Sequence, residues 1–174
     1  MAERSDDVVI DYPNRDKASS KTTKAVVVLL LLITAALMAI VTIGGWEKLQ
    51  GAKMLQVAYI LLFLICAFYI ARWRSGLLPV AAALAIILLI FAAVSGPEWF
   101  ARDKEGFDDP ALSAAILGLI TLIIVPVQVL LIAAAMVGFS QNWQVEVERR
   151  AGDRRPADDA DDRREGGGAV AAPA

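Results

Sequence analysis

The sequence predicts an all-α polytopic membrane protein, a bundle of four transmembrane helices with disordered cytoplasmic tails. Three observations lead there. Apolar residues make up 57% of the chain and charged residues 21%, too apolar a balance for a solvated domain. Nearly all the charge is confined to residues 1–24, to short interruptions and to residues 140–174. Between these lie four long apolar runs, and each of the four tryptophans falls just after one of them.

A helix rises about 1.5 Å per residue, so about 20 apolar residues cross a hydrocarbon core about 30 Å thick. The first run, residues 25–43, holds no charge and ends at Gly44-Gly45. The second, residues 54–71, is bracketed by Lys53 and Arg72. The third, residues 77–95, is free of charge, has Pro79 near its start and is followed by Gly96-Pro97, which reads as a helix stop. The fourth, residues 111–139, is preceded by Asp109-Pro110, an N-cap acceptor followed by a proline suited to the first helical turn. Lipid offers the backbone no hydrogen bonds, so continuous runs of this kind read as helices rather than as barrel strands. The fourth run would reach about 44 Å if straight. Pro126 supplies a kink there, because it frees the carbonyl of Leu122. Trp46, Trp73, Trp99 and Trp143 read as an aromatic belt at the headgroups.

Orientation follows from lysine and arginine alone. Arg4, Arg15, Lys17, Lys21 and Lys24, then Arg72 and Arg74, then six arginines of the C-terminal tail share one side, 13 residues in all. Lys48, Lys53, Arg102 and Lys104 make up the 4 on the other. Both termini are therefore expected in the cytoplasm, in a multi-pass protein of the cell membrane. Residues 1–24 form the N-terminal cytoplasmic segment, 25–139 the membrane domain, 96–110 its outer loop, and 140–174 the cytoplasmic tail. No cleaved signal peptide, myristoylation site or prenylation site is visible. From about residue 151 the tail, AGDRRPADDADDRREGGGAVAAPA, has no aromatic residue and is expected to be disordered. It reads as a solubilising tail or as a docking tail for a partner.

Two flanking pieces alternate or are β-prone: Val8-Val9-Ile10-Asp11-Tyr12 and Trp143-Gln144-Val145-Glu146-Val147-Glu148. One reading pairs them in a small ribbon. The other, favoured because isolated two-stranded ribbons are marginal, is interfacial coil for the first and a frayed helical extension for the second.

The chemistry of the chain is sparse. It has no histidine, which removes the usual general acid/base, the commonest metal ligand and every histidine-dependent triad. Its one cysteine, Cys66, lies mid-span and reads as a small buried or lipid-facing residue. No phosphate-binding loop, dinucleotide fingerprint or nucleic-acid module is present. No catalytic, cofactor or metal residue is assigned, and no enzyme is expected. Asp103, Glu105, Asp108 and Asp109 of the outer loop could gather oxygens for calcium, but their spacing is not that of an EF-hand, and Arg102 and Lys104 intrude. The loop reads better as a cap with Trp99, Phe100 and Phe107 at the interface, or as a site for an outer partner.

No charge lies inside any of the four cores, which disfavours a proton-coupled pump. The few polar groups cluster by face. Ser113, Thr121 and Gln128 of the fourth run fall within an arc of about 80°, with Ala135 beside them. Gln56, Tyr59, Phe63 and Cys66 share a face of the second. Such groups either line a pathway or bond across helices, and the second use is the commoner. Gln128 stands out, two residues after Pro126, where its amide could satisfy a carbonyl freed by the kink. Ala81, Ala85, Ala92 and Ser95, Ala35 with Ala39, Ala114 with Gly118, and Ala134 with Gly138 mark small-residue contact faces.

The outer loop, Gly138-Phe139 and the Trp143 to Glu148 ending, about the last third of the chain, resemble small uncharacterised four-helix membrane proteins of high-GC Gram-positive bacteria. The Ala-, Arg- and Asp-rich tail fits such a genome. The resemblance implies a bacterial cytoplasmic membrane and carries no activity. The expected partners are the lipid bilayer, anionic lipids drawn to Lys21, Lys24, Arg72, Arg74, Arg149 and Arg150 at the cytoplasmic face, and a homo-oligomer or membrane-protein partner. The expected role is a structural or accessory component of a membrane complex. The alternative is a small channel or carrier for a neutral solute, lined by Gln128, Thr121 and Ser113.

Overall fold

The computed structural model describes residues 8–101 and 111–150. They fall into two units, a ribbon and a helical bundle. The ribbon pairs β1 (Val8–Asp11) antiparallel with β2 (Val147–Arg150), in a register that sets Ile10 opposite Glu148. Of the two readings of these segments, pairing is the one formed. The Tyr12 hydroxyl adds a 2.9 Å bond to Glu146 Oε1 beside the ladder.

The bundle spans Pro13–Val145 and is all-α. A short helix α1 (Pro13–Asp16) leads into α2 (Ala18–Gly44). Two 3₁₀ turns, Trp46–Lys48 and Gln50–Ala52, connect it to α3 (Lys53–Ala71). A third, Ser75–Leu77, leads to α4 (Leu78–Ala101), and the last helix is α5 (Ala114–Ser140). Helices α2 to α5 are each long and apolar enough to cross a membrane. Their outward faces expose Leu29, Ile43, Met54, Ile90, Val94, Leu119, Leu130 and Met136. So continuous an apolar surface suits lipid as the solvent, not water. The chain is a multi-pass membrane protein with a four-helix core.

Three helix boundaries differ from expectation. Helix α2 begins seven residues before the apolar run, because Ala18 to Lys24 contains no helix breaker; hydropathy marks the part suited to hydrocarbon, while the helix itself runs further. Gly96-Pro97 does not stop α4, which continues to Ala101. Proline forfeits one backbone bond, but the turn beyond it buries Trp99, and Gly96 is a packing residue: a Cβ there would stand 2.6 Å from Leu122 Cδ2 of α5. Helix α5 starts at Ala114, after Asp109-Pro110, with Ser113 at its N-cap making no side-chain cap bond. The chain before it is tied down by the Leu112 N–H, which donates to the Gly44 carbonyl at 3.2 Å. Asp109 and Pro110 themselves lie outside the described residues, as do Asp103, Glu105, Phe107 and Asp108 of the outer loop and the tail from residue 151.

The helices pack as an open row, α3–α2–α5–α4, in which α3 and α4 scarcely touch. The end where α2 begins and α5 ends, here the near end, is filled by fully buried Leu31, Phe63, Ile70, Leu78, Leu131 and Trp143. A smaller cluster of Val41, Leu49, Trp99, Ala114 and Leu117 occupies the far end. The small-residue faces lie inside: Ala35, Ala81, Ala85, Ala92, Ala114, Gly118 and Gly138 are all buried. At Gly118 a Cβ would come within 2.8 Å of Phe100 Cε2, so α4 and α5 approach only because side chains are missing there. Gly96→Leu is expected to lower stability by about 2 kcal/mol through overpacking against Leu122, read as a lower midpoint of detergent-induced unfolding in mixed micelles.

Candidate functional site

Because α3 and α4 diverge, the far half of the bundle holds a cleft of about 790 Å³ between them. Its walls are Leu55, Gln56 and Tyr59 of α3 and Leu88, Phe91, Ala92, Ser95 and Trp99 of α4. Met38 and Val41 of α2 with Thr121 and Ile124 of α5 form its floor, and Glu47, Lys48, Leu49, Gly51 and Ala52 lie at its far end. Every one of these helical residues lies in the half of its helix nearer the far end or at its middle. The interior is apolar with neutral polar groups set into it, and the charged residues that line it, Glu47 and Lys48, belong to the 3₁₀ turn.

The expected polar faces are distributed as follows. On α3, Tyr59, Phe63 and Cys66 are buried together, and Gln56 at the head of that face accepts a 2.6 Å bond from Thr42 Oγ1 of α2. On α5, Thr121, Gln128 and Ala135 are buried on one stripe. Ser113 is not among them: it precedes the helix and is exposed, because α5 starts later than the apolar run. Thr121 donates back to the Leu117 carbonyl at 2.7 Å and lines the cleft. Gln128 is fully buried but does not reach the cleft. Nor does its amide nitrogen go to a carbonyl freed by Pro126; it donates to Thr34 Oγ1 of α2 at 2.9 Å, and Thr34 donates on to the Leu30 carbonyl at 2.8 Å. The Gln128 Oε1 atom has no partner among the described residues. Helix α5 passes through Pro126 unbroken.

The near end carries a second arrangement that the sequence reading missed. Trp73 and Trp143 meet edge-to-face at 5.4 Å, and the Lys24 ammonium lies 3.9 Å from the Trp73 ring centre. The Trp143 indole N–H donates to Gln141 Oε1 at 2.9 Å, and Gln141 donates to Thr23 Oγ1 at 3.0 Å. Arg15 and Asn14 bond the carbonyls of Trp143 and Asn142. Among the described residues the non-glycine positions with positive φ are Trp73 at 65° and Asn142 at 45°, and both are here. An indole in the left-handed region is costly in isolation, and here the cation and the second indole hold it. This clasp joins α1, α2, the α3–α4 corner and the end of α5. The signal was present in the tryptophan positions but was read as a belt. Trp46 is exposed and Trp73 half-buried, whereas Trp99 and Trp143 are 3% and 0% exposed and so face protein, not headgroups. The reason is steric: Gly45 and Gly138 leave the space these two indoles fill, with a Cβ at either position 2.7 Å from Trp99 Cη2 or 3.2 Å from Trp143 Cζ2.

Comparison of the chain with protein-family models, with curated proteins and with solved structures gives no match. The class is therefore set by the fold alone, a four-helix, multi-pass membrane protein.

Two predictions follow from the buried polar pair and the clasp. Thr34→Val is expected to cost about 1 kcal/mol, because it strips the acceptor from a buried amide. Gln128→Leu should cost less, since Thr34 still reaches the Leu30 carbonyl, and the double variant should return close to the parent. Unfolding by SDS titration in mixed micelles checks the order of the three. Trp143→Ala should cost about 3 kcal/mol by emptying the near-end core, with Trp143→Phe retaining much of it in the same assay.

Proposed function

We propose that the protein is a non-catalytic structural or accessory component of a membrane complex, with the bacterial cell membrane as its site and both termini cytoplasmic. The observation that carries this reading is how the buried and half-buried polar groups are used. Gln128 with Thr34 and Gln56 with Thr42 each bond one helix to another, and Gln141, capping α5, bonds Thr23 of α2. Polar groups spent on cross-helix bonds hold a bundle together and leave little to line an aqueous path. The near half is also filled by large side chains, among them Phe63, Leu78 and Trp143. The excess of lysine and arginine on the side of the chain ends supports the orientation, and the resemblance of the C-terminal third supports the bacterial membrane. The exposed Lys21, Arg72 and Arg74 suit anionic lipids at that face.

The second reading, a carrier for a neutral solute, draws on the cleft, which reaches Thr121 from the far end. It predicts flux in proteoliposomes that falls on Thr121→Val, while Gln128, which does not reach the cleft, plays no part in it. For the accessory reading, the tagged chain at native expression, extracted in mild detergent, should bring down a stoichiometric membrane partner or a defined homo-oligomer by mass spectrometry and sizing. A lone monomer in that experiment counts against it.

A further inference from the structure

The cleft between α3 and α4 is open along its side. Both walls belong to helices long enough to cross a membrane and scarcely touch each other, so a lipid can approach between them from the side. Leu55 and Phe91 stand half-exposed at its lips, at 50% and 54%. Inside it are hydrogen-bonding groups with nothing to bond. Tyr59 is more than nine-tenths buried and lines the cleft, yet among the described residues its hydroxyl makes no hydrogen bond. Across the cleft the half-buried Ser95 hydroxyl also makes no hydrogen bond among the described residues. Gln56 uses its carbonyl oxygen on Thr42, and its amide nitrogen has no partner among the described residues. These three polar groups line one cavity from its two walls, and they define a set of donors for a ligand that enters it.

Their depth identifies the ligand class. Gln56 and Tyr59 lie three and six residues inside the start of α3, and Ser95 six residues before the end of α4. At about 1.5 Å per residue these donors sit roughly 5–9 Å in from the helix ends. That is about the thickness of the headgroup layer on one side of a bilayer, taken as half the difference between about 30 and 45 Å. Ester carbonyls of a glycerolipid occupy this boundary, with acyl chains below and the head above. The lining matches in the same order: Leu88, Phe91 and Ile124 lie deeper, and Glu47 with Lys48 lies at the 3₁₀ turn. One acid and one base at that end give no preference for an anionic over a zwitterionic head.

The cleft occupies the far half of the bundle alone, whereas a partner's transmembrane helix needs an unfilled face along about five or six turns, and the near half is packed. We infer that this cleft is a binding site for a single phosphoglyceride of the far-end leaflet, its ester carbonyls accepting from Tyr59, Ser95 and Gln56 and one acyl chain lying between α3 and α4. This goes beyond the accessory role and does not rest on it, since a failed pull-down leaves the lipid count unchanged.

The test is native mass spectrometry of the full chain, reconstituted in vesicles of phosphatidylethanolamine and phosphatidylglycerol and re-extracted in mild detergent. One phosphoglyceride per chain should survive extraction. Tyr59→Phe, which keeps the ring and removes the donor, should reduce the retained fraction about fivefold, the equivalent of one hydrogen bond. Ser95→Leu, which fills the cleft, should abolish it. Leu119→Phe on the exposed face of α5 should leave it unchanged, and helix content by circular dichroism confirms that each variant is folded. No retained lipid on the folded parent overturns the inference. So does equal retention in Tyr59→Phe and Ser95→Leu, or a polypeptide in place of the lipid.

Discussion

The bond from Gln128 to Thr34 joins α5 to α2 at the middle of the row, and the rest of the bundle is arranged around that pair. Both residues are fully buried. In hydrocarbon there is no hydrophobic force to press helices together, so close packing and cross-helix bonds must do it. Helices α2 and α5 supply the bond, and small residues on their flanks admit the neighbours. Helix α3 adds to the outer side of α2 through Gln56 and Thr42, and α4 adds to α5 where Gly96 and Gly118 let the backbones approach.

A row built outward from a central pair has two free edges. At the near end the edges are drawn together by aromatic packing: Trp143 follows α5 and Trp73 sits at the α3–α4 corner, with Lys24 of α2 over its ring. The left-handed backbone at Trp73 and Asn142 is the local consequence of turning the chain into that contact. At the far end no comparable contact bridges α3 and α4 among the described residues, and the cleft lies between them.

The helices were legible because their signal is composition over about 20 residues, which local punctuation only trims. Their ends were less so. Gly96-Pro97 has the local chemistry of a stop, yet Trp99 and Leu122 supply packing that outweighs one lost backbone bond. Periodicity placed Thr121, Gln128 and Ala135 on one buried stripe of α5, and Tyr59, Phe63 and Cys66 on one of α3, because helical phase survives any rigid placement of the helix. It included Ser113 only by extending the helix too far. Tryptophan positions were visible, but whether an indole meets a headgroup or a glycine on another helix depends on a neighbour far away in the chain.

By itself the sequence determined the four helices, the absence of charge within them and the faces that had to turn inward, since these follow from the length of apolar runs and from helical period. Only the tertiary structure decided which inward faces meet. The order α3–α2–α5–α4, the Gln128–Thr34 bond, the burial of Trp99 and Trp143 and the placing of the Tyr59 and Ser95 hydroxyls on one cleft all depend on residues tens of positions apart. The physical reason is that lipid treats every apolar face alike, so the choice among them rests on shape and on single polar contacts, which no local pattern encodes.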